Sequence, residues 1–245
     1  MARWRRRRYR RRRSLRRRIA SLAWKLGLGL VALSVLPTGC LRWVDPPTSS
    51  FMIQSRFESH AERPDGYRLR HYWVDWKDIA PHAKLAVVAA EDQRFLAHRG
   101  FDLDEIADAV YERVKNDRRR GASTISQQVA KNLFLWPDKS LVRKGLEAYF
   151  TALIEIFCPK RRILEVYLNV AQFGDGVYGI EAASVTYFRK PAARLTRDEA
   201  ALLAAVLPNP LRLRVDRPSS YVQQRAQEIA AQMERLEGTR YLSRL

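Results

Sequence analysis

At 245 residues the chain is long enough for one domain with a sizeable core plus a tail. Its two cysteines, Cys40 and Cys158, exclude a metal-ligand pair by spacing, and a disulfide between them is not expected because Cys40 adjoins an apolar run. The formal charge of +19 is uneven: Arg3, Arg5 to Arg8, Arg10 to Arg13 and Arg16 to Arg18 supply twelve charges with no acid among residues 1–18, and removing those twelve leaves +7 for all that follows.

Taken in chain order, residues 1–18 read as a basic tail, solvated and disordered as runs of like charge usually are. Residues 19–36, IASLAWKLGLGLVALSVL, carry one charge, Lys25. At about 1.5 Å per residue they span about 27 Å, close to the thickness of a bilayer core. Trp24 and Trp43 bracket the run as interfacial tryptophans do, and Lys25 can snorkel to the basic side. The arginines place the N-terminus in the cytoplasm and everything beyond about residue 42 outside. The span is drawn over 19–41. A cleaved signal with Leu26–Leu36 as its apolar region, and a lipoprotein box at LPTGC, are the lesser readings; Pro37 sits where such a box prefers leucine. Arginine runs bind nucleic-acid phosphates, but beside an apolar span anionic lipid is the better polyanion, so no nucleic acid is expected.

Residues 45–50, DPPTSS, read as a linker to a domain over 50–245, and 67–74 as a short strand or extended connection. From about residue 78 the apolar spacing is helical, predicting helices over 78–93, 103–117, 124–135, 141–157, 160–170, 177–187, 197–207 and 219–235. Thr124 with Gln127, and Thr196 with Glu199, have capping-box spacing. Pro208 and Pro210 stop the helix ending LLAAVL, and Gly174, Gly176 and Gly179 mark a turn-rich break. The domain is mainly α.

Three stretches carry chemistry. Glu91 closes the apolar run LAVVAA, at the edge of a core, where partial burial raises a carboxyl pKa and suits it to proton transfer. The bland alternative is a local pair with Arg94 or Lys84. Asp92 would face another side of the same helix. GASTISQQVAKNLFL, from Gly121 to Leu135 and preceded by Arg118 to Arg120, sets backbone donors and hydroxyls at a helix start, with amides and Lys131 within two turns. Gln127 or Gln128 with Lys131 or Asn132 shares a face that could bind a phosphate. In RKGLEAYFTALIEI, Glu147 lies one turn past Arg143 and Lys144 and can pair with either. Two carboxylates in different settings beside a phosphate-binding helix suggest transfer at a sugar carbon, with a base on one side and cations on a diphosphate leaving group.

The blocks EDxxFxxHxGFD, GxSTIxQQxxKNLFL, RKxxE, ILExYLN with QFGxGxYGI, and LTxxEAALLAAxLPxP, in that order from Glu91 to Pro210, resemble the peptidoglycan glycosyltransferases, the family-51 murein polymerases. The length, the anchor and LRWVDPPTSSFM after it are similar to the monofunctional biosynthetic branch. The resemblance implies a lysozyme-like helical domain with a large lobe and a small membrane-proximal one. It implies Glu91 as the base that takes the acceptor's 4-hydroxyl proton, with Asp92, Phe95 and His98 shaping the acceptor side. It implies Ser123, Thr124, Gln127, Gln128, Lys131 and Asn132 along the donor cleft, Arg143 and Lys144 on the departing diphosphate, and Glu147 as the second carboxylate. Glu165, Tyr167 and Asn169 are expected to be mainly structural.

The substrates so implied are lipid II and the growing glycan strand, at a Gram-negative inner membrane with the catalytic domain periplasmic. No cofactor is required; a divalent cation, Mg or Mn, would be stimulatory. Other cell-wall or division proteins are candidate partners. Neither SxxK nor KTG occurs in the chain, so peptide cross-linking is not expected. An apolar patch near 105–115 is a candidate for dipping into the bilayer, though Asp108, Glu112 and Lys115 lie within it. A hydrolase of the same glycan is the main rival, but it has no use for STxxQQxxKN and the RK pair.

Overall fold

A computed structural model describes residues 2–62, 68–116, 123–138, 140–236 and 238–245. Helix α1 (Ala2–Cys40) is followed by α2 (Ser50–Glu62), strand β1 (Arg70–His71), α3 (Pro81–Glu91), α4 (Leu103–Asn116), α5 (Ile125–Phe134), α6 (Leu141–Phe157) and α7 (Lys160–Val170). A hairpin of β2 (Gln172–Gly174) and β3 (Val177–Tyr178) leads to α8 (Ile180–Phe188), α9 (Arg197–Val206) and α10 (Ser220–Arg235). The eight predicted helices are all present, shifted by up to three residues at their ends. The first starts at Pro81 because Trp76–Asp78 takes a separate 3-10 turn and Pro81 occupies the first helical turn, where its missing N–H is harmless. Both capping boxes form.

Three features depart from the sequence reading. The arginine tail is helical and continuous with the apolar span, not disordered: arginine is a good helix former, and extending a helix costs far less than starting one. Residues 51–62, unassigned from sequence, form α2. The glycine-rich break holds a small sheet in the order β1-β3-β2, with β1 parallel to β3 and β2 antiparallel to it. Glycine is needed at 179: φ is +83°, and a Cβ would lie 2.7 Å from the Asn169 carbonyl.

The core lies where α3 packs against α9 and α10, with α7 packed on α5 and touching α3. Helix α3 is buried from Ala83 to Ala89, and α9 meets it through Ala200, Ala201, Ala204 and Ala205. Small residues let such axes approach closely, so an enlarged side chain there forces the pair apart. Asn169 is fully buried and fastens α7 to the extended 71–74 segment: its side chain accepts from Val74 N (2.9 Å) and donates to Val74 O (3.0 Å), while its carbonyl meets His71 Nε2 at 3.1 Å.

Ala20–Cys40 is long and apolar enough to cross a membrane and is not buried by the rest of the chain. Its last turns nevertheless dock on the domain. Ser34 Oγ lies 2.8 Å from Tyr149 Oη on α6, and Arg42 donates to the Phe157 carbonyl. Arg162 donates to the carbonyls of Leu41 and Val44 and to Asp45. Residues 45–50 are therefore tied down rather than slack, and Ser49 is buried beneath the start of α2. Cys40 and Cys158 are both free thiols. On α4, Leu103 and Tyr111 are exposed; the side chains of Val110 and Glu112 lie outside the described residues.

Candidate active site

Helix α3 ends at Glu91 because Asp92 leaves it, at φ −163° and ψ 78°. Asp92 therefore does not occupy another face of the helix; it turns inward and is almost fully buried. Its Oδ1 meets His98 Nε2 at 2.8 Å and its Oδ2 accepts from the Ile125 amide at 3.0 Å. His98 Nδ1 accepts from the Gly100 amide, so the ring proton sits on Nε2 and is donated to Asp92. Phe95 is fully buried under the same turn, edge-on to His98. Thr124 caps α5 through Gln127 and donates to the Gly100 carbonyl at 2.7 Å. Five of the sequence-predicted site residues (Asp92, Phe95, His98, Thr124 and Gln127) thus spend their polar atoms or bulk joining the 91–100 turn to the start of α5. The physical reason is the buried helix N-terminus, whose free amides must find acceptors. Ser123 is exposed at the edge of the described residues; Arg118 to Arg120, Gly121 and Ala122 lie outside them.

Glu91 meets neither Arg94 nor Lys84. Arg94 pairs with Asp102 and Asp104, and Lys84 stacks on Trp76. Instead Gln128 Nε2 donates to Glu91 Oε2 at 2.6 Å, and Gln128 Oε1 accepts from Tyr167 Oη at 3.0 Å. Burial pushes the Glu91 pKa up; the bond from Gln128 and the charges of Arg225 and Lys131 pull the other way, and Asp92 adds a smaller rise. A raised pKa is the direction that suits a carboxyl to proton transfer.

Gln128, Lys131 and Asn132 on α5, with Phe51, Tyr167, Gln172 and Pro208, line a cleft of about 140 Å³, which Glu91 meets through its bond from Gln128. Burial lowers the Lys131 pKa; the charges of Glu147 and Glu91 raise it, and those of Arg143 and Lys144 lower it. Lys131 is therefore within electrostatic reach of both carboxylates. Glu147 is buried at the start of α6, which packs on α5. Arg143 Nη1 lies 2.6 Å from its Oε2 and Lys144 Nζ bonds its Oε1. The Arg143 Nε is buried with no hydrogen-bond partner among the described residues, an open donor beside the cluster. No group of three or more metal-ligating side chains occurs among the described residues.

Comparison with known proteins decides the family. A family model described as Transglycosylase matches residues 58–234. The chain belongs to the transglycosylase family. It is similar to the biosynthetic peptidoglycan transglycosylase of Xanthomonas campestris pv. campestris, 52% identical over 229 residues covering 93% of each chain. It is also similar to that of Shewanella oneidensis, 52% identical over 212 residues, 86% of this chain and 90% of the other. That of Aeromonas hydrophila is 50% identical over 220 residues, 90% of this chain and 92% of the other. The mainly α, lysozyme-like transglycosylase domain expected from sequence is thereby established.

Within this transglycosylase, the residues brought to one place are Glu91, Gln128, Lys131, Asn132, Arg143, Lys144 and Glu147. Sequence reasoning missed three contributors. Phe51 comes from the unassigned α2, its ring 5.5 Å from Lys131 Nζ. Arg225 on α10 reaches the carbonyl of Ala90 at 3.3 Å, and no spacing links positions so far apart. Tyr167 was taken as structural, yet it touches the residue that holds Glu91.

Proposed function

We propose that this transglycosylase polymerises lipid II into linear β-1,4 glycan strands for the cell wall, with the growing strand as donor and lipid II as acceptor. The observation that carries the reading is Lys131, a half-buried lysine within electrostatic reach of a desolvated carboxyl, Glu91, and of the Arg143–Glu147–Lys144 cluster. Glu91 takes the proton from the acceptor 4-hydroxyl as the oxygen attacks the donor sugar's C1. The C1–O bond to the diphosphate breaks with inversion, and undecaprenyl diphosphate leaves. Lys131, Arg143 and Lys144 offset the charge that develops on it. Glu147 holds the two α6 cations in place. Three cations supply the neutralisation, so a divalent cation would stimulate without being obligatory.

The twelve arginines before residue 19 and the apolar Ala20–Cys40 segment support a single span in the inner membrane, N-terminus cytoplasmic and domain periplasmic. That topology brings the cleft to the face where a lipid-linked sugar is presented.

The test is detergent-solubilised full-length protein with labelled lipid II, products resolved by size, with and without chelator, beside Glu91→Gln. A glycan ladder that persists in chelator and drops by roughly a hundredfold or more in Glu91→Gln is the expected result. Cleavage of preformed glycan without polymer would overturn the reading in favour of a hydrolase.

A further inference from the structure

Among the described residues Glu91 is held by a single hydrogen bond, and chemistry fixes its direction. An ionised carboxylate only accepts, so the Gln128 atom 2.6 Å from Oε2 is the amide nitrogen. The amide oxygen then faces Tyr167, whose hydroxyl, 3.0 Å away, donates to it. Turning the Gln128 amide over would set its oxygen against the carboxylate and leave the Tyr167 hydroxyl proton without an acceptor. Tyr167 is 1% exposed, so water cannot repair that loss. The backbone carrying Tyr167 is itself clamped, because Glu165 accepts from the Trp76 amide at 2.7 Å and Asn169 bonds Val74 on both sides.

We propose that Tyr167 is a positioning residue: it locks the Gln128 amide so that Oε2 of Glu91 is permanently occupied and Oε1 is the oxygen that takes the acceptor proton. Oε1 has no hydrogen-bond partner among the described residues. Proton transfer to Oε1 leaves the Gln128 bond to Oε2 in place, so nothing in the lock rearranges as the base works, which is the condition for preorganised catalysis. Tyr167 is not a competing base or acid. Burial, and the charge of Glu91 beside it, hold its phenol pKa well above the ordinary value, so it stays a donor. The inference rests on Glu91 acting as the base.

Four groups set the charge state of Glu91 besides burial: Gln128 and Lys131 from α5 and Arg225 from α10, which favour the carboxylate, and Asp92, which disfavours it. Removing the lock weakens the Gln128 contribution and moves Glu91 further up.

The experiment measures polymerisation against pH for wild type, Tyr167→Phe, Gln128→Leu and the double variant, with melting curves for each. Tyr167→Phe should lower kcat roughly tenfold, the size of one well-placed hydrogen bond. Its KM for lipid II should stay unchanged and the acid limb of kcat/KM should move to higher pH. The double variant should be no worse than Gln128→Leu alone, since Tyr167 acts only through Gln128. An unmoved acid limb in folded Tyr167→Phe, or full additivity in the double variant, would overturn the proposal. Should Tyr167→Phe fail to fold, Gln128→Leu decides by the same acid limb. Should wild type make no polymer, the function reading fails separately. The infrared carboxyl band that Glu91→Gln abolishes then reports the Glu91 titration directly, and its midpoint must rise in Tyr167→Phe for the lock to stand.

Discussion

The end of α3 and the start of α6 each present a glutamate to the same region, and they do it by opposite means. Glu91 is held by a neutral amide at a rim, with no cation in direct contact among the described residues, and burial makes its proton hard to lose. Glu147 is buried deeper but grips an arginine and a lysine directly. Glu147 ties two cations to the start of α6, whereas Glu91, desolvated beside an amide, holds its proton more readily than a free carboxyl. Two residues of one type are thus given different work by their neighbours, the general rule for paired acids in active sites.

The comparison is broken most strongly at Glu147. Glu147→Gln removes the charge that Arg143 and Lys144 share, and disrupting a buried ion pair costs about 3–5 kcal/mol. Lys144 is about half exposed and can relax into water, so the lower end is expected. Chemical denaturation should read that loss of about 3 kcal/mol, and polymerisation should fall with it because the two cations lose their aim. A stability equal to wild type would show that Glu147 is not the clasp.

A smaller effect is expected at the turn supporting Glu91. Thr124→Ala deletes the α5 cap and the bond to the Gly100 carbonyl, costing about 1–2 kcal/mol in urea unfolding. Thr124→Ser, which keeps both bonds, should recover most of it.

The smallest effect sharpens the comparison by its sign. Because the folded pKa of Glu91 is raised, the native state binds this proton more tightly than the unfolded chain. Glu91 therefore subtracts stability as pH rises through the window from its unfolded value to its raised folded one, and the subtraction is complete above that window. Glu91→Gln should melt higher than wild type at neutral pH and converge with it in acid. A melting temperature below wild type at neutral pH would mean that the carboxylate is stabilised in the fold and not strained.

How legible all this was varies with the kind of signal. Helix positions could be read because apolar residues recur along each face and because Thr124, Thr196 and Pro208 punctuate the ends. The stretch 67–74 could be read as a short strand or extended connection, and Arg70–His71 is a strand; its partner β3 could not be read, because two-residue strands carry no periodicity. Glu91, Lys131, Arg143 and Glu147 could be singled out because their charge is out of place beside apolar runs. Which motif residues face the cleft could not, since Asp92 and His98 are as polar as any ligand-binding pair until their partners, the Ile125 amide and each other, are seen. Arg225 and Phe51 gave no local signal at all, because their relevance exists only in three dimensions.

The bonds from Arg162 to Leu41, Val44 and Asp45, with the Ser34–Tyr149 contact, also say where the molecule can be cut. Leu41 is part of the buried core and Ser49 is sealed beneath α2, so the stretch between anchor and domain is a rigid splice with no slack in it. A soluble fragment begun at residue 50 would forfeit those ties, whereas one begun just before Leu41 would keep most of them. For the intact chain the same splice means that the cleft cannot swing freely relative to the apolar helix: its heading is set by the helix it is joined to.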